Sequence, residues 1–97
     1  MIEQNGAGLT VKGPMWIANA SALLETGRCF LQSAAPAGEV LLDLSAVEET
    51  DSSALSVIFG LLRTANKRGL TLRLAHAPAS MLSQAALYGV AESLPLA

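Results

Sequence analysis

Apolar residues recur along this chain with two different periods. "LTVKGPM", Leu9 to Met15, alternates apolar and polar positions as a half-buried strand does, until Gly13-Pro14 breaks it. "NASALLETGRCFLQ", Asn19 to Gln32, switches to helical spacing, with Asn19 or Ser21 available as a cap and Gly27 weakening the interior. "VLLDLS", Val40 to Ser45, is a short, mostly apolar run of the kind a buried central strand shows. Ser52 to Arg68 has the strongest helical pattern, carried by Ala54, Leu55, Val57, Ile58, Leu61, Leu62 and Ala65. Lys67 and Arg68 stand in its last turn and Gly69 stops it. "LTLRLA", Leu70 to Ala75, alternates as a strand, and Pro78 to Gly89 predicts a short helix with proline at its start and glycine at its end. Met1 to Gly8 is polar or small and predicts a loosely tethered start. Ser33 to Glu39 reads as a loop, and Val90 to Ala97 as a final strand or a packed extension.

The order strand, helix, repeated three times predicts an α/β fold with three helices covering one sheet. The Val40–Ser45 strand, the following helix and the Leu70–Ala75 strand would form a right-handed parallel crossover. Ninety-seven residues fit a single domain over 1–97. Of these, 52% are hydrophobic and only 14% charged, against roughly a quarter charged in an ordinary soluble domain, so part of the apolar surplus is expected to meet a partner. The net charge of -2 argues against nucleic acid. Cys29 is the only cysteine, which leaves no internal disulfide or thiolate metal cluster. No charged start leads into an apolar stretch, and no apolar run approaches the ~20 residues of a membrane span. These features predict a cytoplasmic protein that reaches a membrane only through a partner.

Candidate chemistry gathers at "EETDSSALSVIFGLL", Glu48 to Leu62. At about 100° per residue, the face of the long helix opposite its apolar stripe collects Ser52, Ser56, Phe59, Arg63 and Lys67. An aromatic beside two serines and an arginine suits a protein-binding surface, although Phe59 could equally tuck against a neighbouring element. Asp51 or Ser52 can cap the helix, and Ser52 can equally accept a phosphoryl group that the helix N-terminus tolerates. Catalytic groupings are scarce. His76 reads as a loop residue, Glu48, Glu49 and Asp51 as a solvated acidic run, and the lone aromatics Trp16 and Tyr88 as core residues. With no glycine-rich phosphate loop and no convergent ligands, neither an enzyme nor a metal or cofactor site is expected.

The stretch "VLLDLSAVEETDSSALSVIFGLLRTANKRGLTLRLAHAP" resembles the centre of a STAS domain. The resemblance rests on Asp43-Leu44-Ser45, Asp51-Ser52, Ala54-Leu55 and Gly69, and "VKGPM" fits that family's first hairpin. It implies a mixed sheet of four to five strands with about three helices on one side. In partner-switching members of the family, antagonists of anti-sigma factors, the hydroxyl at the Ser52 position is phosphorylated by an anti-sigma kinase. Those members carry glycine after the paired hydroxyls, where this chain has Ala54 and Ser56. "LYGVAESLPLA", Leu87 to Ala97, is similar to the closing segment of the MlaB-like branch, small STAS subunits of bacterial lipid-transport ABC complexes. That resemblance implies a non-catalytic subunit docked on a cytoplasmic ATPase, within a complex that includes a membrane permease and maintains outer-membrane lipid asymmetry. The resemblance places the Ser52 position at that contact; together with the outward helix face, the candidate partner-binding residues are Asp51, Ser52, Ser53, Ser56, Phe59 and Arg63, and no cofactor is expected.

Overall fold

A four-stranded sheet carries three helices on one face. The computed structural model describes residues 1–6, 8–34 and 38–97. The strands are β1 (Ile2–Asn5), β2 (Gly8–Lys12), β3 (Glu39–Ala46) and β4 (Thr71–Ala75), and the helices are α1 (Ile17–Ser33), α2 (Ser53–Lys67) and α3 (Ala79–Leu87), with a 3-10 turn at Ala91–Ser93. The sheet order is β1-β2-β3-β4. β1 pairs antiparallel with β2, whereas β2–β3 and β3–β4 are parallel, so the sheet is mixed as the STAS resemblance implied. The expected loose start at Met1 to Gly8 is corrected by β1. Its isolated polar residues hide a strand because the pairing partner, Ile2 opposite Val11, lies across the turn. Of the expected Ser33–Glu39 loop, Ala35 to Ala37 lie outside the described residues.

Alternate residues of the strands set the layers. Val40, Leu42 and Leu44 of β3 and Leu72 and Leu74 of β4 are buried, while Leu41 is 42% exposed and Arg73 lies in solvent. β3 is central, between β2 and β4, as its mostly apolar run predicts, although only alternate residues of it are buried. One face of the sheet is covered by helices and the other is open. The core closes with Ala54, Ile58, Leu61 and Ala65 of α2 and with Met81 and Ala85 of α3, the stripe that period 3.6 demands.

Helices α1 and α2 lie side by side and run the same way, with Leu24 against Gly60, Gly27 against Leu61, and Arg28 Nε donating to Thr64 Oγ1 at 3.4 Å. Gly27 is thus more than a weak point in α1. A Cβ built there would stand 2.6 Å from Leu61 Cδ2, so the glycine is the notch that lets the two helices approach. The final segment combines both readings of its sequence. Leu94 is buried, and Leu96 forms a parallel bridge with Leu74, whose N–H donates to Pro95 O at 2.9 Å and whose carbonyl accepts from Ala97 at 2.8 Å. This short bridge covers part of the β4 edge without adding a full fifth strand.

Candidate functional site

The loop between β3 and α2 is laced to the segment entering α1. Met15 N–H donates to Glu49 O at 2.9 Å, and Asp51 N–H donates to Met15 O at 3.2 Å. These bonds bring the N-termini of α1 and α2 together, and Asp51 joins them. Its Oδ2 accepts the Ile17 N–H at 2.9 Å, and its Oδ1 accepts the Ser53 N–H at 2.9 Å and the Ser53 hydroxyl. One carboxylate therefore satisfies donors at two helix N-termini, where the backbone N–H groups lack partners and the macrodipoles favour negative charge. The Ser53 hydroxyl, followed by the Ile17 amide, holds the Asp51 carboxyl below the usual carboxylate range. Asp51 is half-buried, so the expected solvated acidic run covers Glu48 and Glu49 only.

This geometry settles which residue caps α2. Ser52 has helical dihedrals, φ -62° and ψ -21°, and its side chain makes no capping hydrogen bond. Asp51 does the capping through Ser53. Ser52 directly precedes α2 and is exposed, lining the groove described below. A similar exchange occurs at α1, where Asn19 acts from inside the first turn. Its Oδ1 accepts the Trp16 N–H at 2.9 Å and its amide donates to Pro14 O at 2.8 Å.

Ser52, Ser56, Phe59 and Arg63, singled out by their angle on the helix, form one wall of an open groove of about 510 Å³, and Tyr88 and Val90 form the other. Leu55 forms its floor, buried beneath the serines. Phe59 is half-buried, packed against the core and also lining the groove, so it tucks against its neighbours only in part. Asp51 and Ser53 shape the corner from within; their polar atoms are engaged by each other and by Ile17. Thr50 Oγ1 lies 2.9 Å from Ser80 Oγ, which ties the same corner to α3.

The two aromatics expected in the core are exposed, Tyr88 at 58% and Trp16 at 42%. Tyr88 follows Met81 and Ala85 at helical spacing but does not join their buried stripe. It stands one residue beyond the end of α3 at Leu87, and Gly89 at φ 72° turns the chain directly after it. Trp16 precedes the first turn of α1, where no helical face yet exists. His76 is exposed as expected, in a turn with φ 56° after β4. Asp43, half-buried on the open sheet face, is held below its ordinary range chiefly by the Ser45 amide, which donates to Oδ1 at 2.9 Å. Among the described residues, no three His, Cys, Asp or Glu converge as metal ligands, and no helix is long and apolar enough to cross a membrane.

The fold recurs in solved structures. A candidate anti-sigma factor antagonist (tm1081) from Thermotoga maritima superposes with a TM-score of 0.77 at 18% identity, over 99% of this chain and 83% of that one. The anti-sigma factor antagonist SpoIIAA in its unphosphorylated form superposes with a TM-score of 0.66 at 12% identity, over 87% of this chain and 78% of that one. At such identities the likeness shows a shared fold. No curated protein matches the sequence. The family described as "Mlab, STAS domain" matches residues 2–96, nearly the whole length. With its mixed sheet, one-sided helices and Asp-Ser corner, this chain belongs to the MlaB-like STAS domain family.

Proposed function

We propose that this chain is a non-catalytic subunit that docks on the cytoplasmic ATPase of a bacterial ABC transporter for phospholipids, with the α2–α3 groove as the contact. The observation that carries this reading is the groove itself. It presents an unengaged Ser52 hydroxyl, a half-exposed Phe59 and an exposed Tyr88 in a chain of the MlaB-like family. STAS domains generally regulate by binding other proteins, and amphipathic aromatics around a hydroxyl suit that use. The proposed role is mechanical. Ser52, Ser56, Phe59 and Arg63 pack on the ATPase and favour its productive arrangement, within a complex that includes a membrane permease and supports outer-membrane lipid asymmetry. The chain would then be cytoplasmic and held at the inner membrane by its partner.

The test is recovery of partners with the tagged protein from its own cells, identified by mass spectrometry, followed by affinity measurement on the recovered ATPase. Ser52→Asp is expected to weaken that binding at least tenfold, because a buried carboxylate would lack a counter-ion. A folded Ser52→Asp protein of undiminished affinity would remove Ser52 from the contact.

One observation favours a second reading. Ser52 is exposed and uncommitted at the position where partner-switching relatives carry their phosphoacceptor. On that reading the chain is an antagonist of an anti-sigma factor, switched by a kinase acting on Ser52. Recovery of a kinase-like partner together with phosphate on Ser52 would select it over the transporter.

A further inference from the structure

Trp16 and Ile17 stand exposed at 42% and 78%, where the chain enters α1. Two adjacent large apolar side chains standing in solvent together make a local apolar surface. Their place is equally informative. The Ile17 N–H is bonded to Asp51, the residue immediately before Ser52, so this pair flanks the Ser52 corner on the side opposite Tyr88. Tyr88, 58% exposed, lies on the far flank, across the groove.

Fully exposed aromatics present about 150–250 Å² each. At these exposures Trp16 and Tyr88 together leave roughly 200 Å² of residue surface, and Ile17 adds aliphatic area beside Trp16, on the order of 300 Å² in all. That is more than a third of one partner's share, ~800 Å², of a standard protein interface. The α2–α3 groove alone, which lacks Trp16 and Ile17, offers less.

We propose that the protein partner of the groove reaches across the N-terminus of α2 and grips Trp16 and Ile17 as a second apolar anchor. This inference rests on the docking reading and extends it. It places Ser52 between two anchors, at the centre of the contact rather than its rim. Water is excluded most completely there, and a new charge is least tolerated. The occupant is a single folded surface, apolar at both ends and able to accept a hydrogen bond from Ser52 in the middle.

The experiment uses the full chain and the ATPase recovered with it. Trp16 is the only tryptophan, so 5-fluorotryptophan incorporated into this chain alone gives one fluorine resonance that reports on the proposed anchor. Adding the unlabelled ATPase is expected to shift or broaden that resonance. Ile17→Gln, which removes apolar surface without adding charge beside Asp51, is expected to weaken binding about tenfold with an unchanged melting curve. A complex that Phe59→Ala weakens, but in which the fluorine resonance and the Ile17→Gln affinity are unchanged, overturns the second anchor and leaves the groove reading standing. Absence of any wild-type complex overturns the docking reading itself. Two further results also overturn the proposal. One is a homodimer by light scattering that Ile17→Gln dissociates while ATPase affinity is unchanged. The other is a resonance that responds to phosphatidylglycerol-containing vesicles and not to the ATPase.

Discussion

Replacing Gly27 by alanine tests how closely α1 and α2 are fitted. Helix propensity alone favours the substitution by about 1 kcal/mol. Packing opposes it. The new methyl would lie 2.6 and 3.2 Å from the two terminal carbons of Leu61 and 3.3 Å from Ile2 Cδ1. Leu61 is 1% exposed and Ile2 6%, so neither has free space to retreat into. Overpacking of this kind costs about 1–3 kcal/mol, which leaves a net loss of about 1 kcal/mol, or roughly 4–8 °C in Tm for a domain of this size. Gly60→Ala is the internal control. Its methyl would meet Leu24 Cδ1 at 2.7 Å, but Leu24 is only half-buried and can swing outward, so the propensity gain should balance the clash. Urea and thermal unfolding followed by circular dichroism should rank the proteins Gly60→Ala, about equal to wild type, above Gly27→Ala. Leu61→Ala should cost about 2–5 kcal/mol alone and less in a Gly27→Ala background, because the second methyl occupies part of the cavity. A Gly27→Ala protein more stable than wild type, or additivity in the double mutant, would refute the notch.

Phe59→Ala should lower affinity for the recovered partner at least tenfold, read by calorimetric titration, while the domain keeps its circular dichroism spectrum; unchanged affinity would return Phe59 to a purely packing role. Asp51 gives a pH signature. Its folded-state pKa is depressed, so its stabilisation is present above the unfolded value of about 3.9 and is lost as pH falls through the folded value. Asp51→Asn should therefore melt below wild type at pH 7, with the gap narrowing below about pH 4; a gap independent of pH would mean that the carboxylate's charge is not what secures the two helix ends. Deleting Leu94 to Ala97 uncovers the Leu74 N–H and carbonyl on the β4 edge. Such an edge is prone to pair with another copy, and size-exclusion chromatography should show self-association that the intact chain lacks at equal concentration.

Much of this architecture is legible along the chain because local periodicity reports burial. The long helix, its Gly69 stop, strands β3 and β4 and the outward stripe of Ser52, Ser56, Phe59 and Arg63 follow from spacing alone, since a helix presents every third or fourth residue on one face whatever it packs against. The Asp-Ser corner was legible as a helix start, and two residues could have served as its cap. Tertiary structure chose Asp51, because only a carboxylate placed between two helix N-termini can accept from Ile17 and Ser53 together. That choice left Ser52 free. Strand β1 needed its partner across the turn to be recognisable, and Gly27 needed Leu61 to become a notch rather than a flaw. Tyr88 and Trp16 were misplaced inward for the same reason. Hydrophobic character measures what a side chain would gain by burial, whereas the backbone path at a helix end determines whether burial is geometrically open to it. What the sequence determined by itself was the set of elements and their apolar faces; which residues were left over, facing outward together as a surface, was decided only when those elements met.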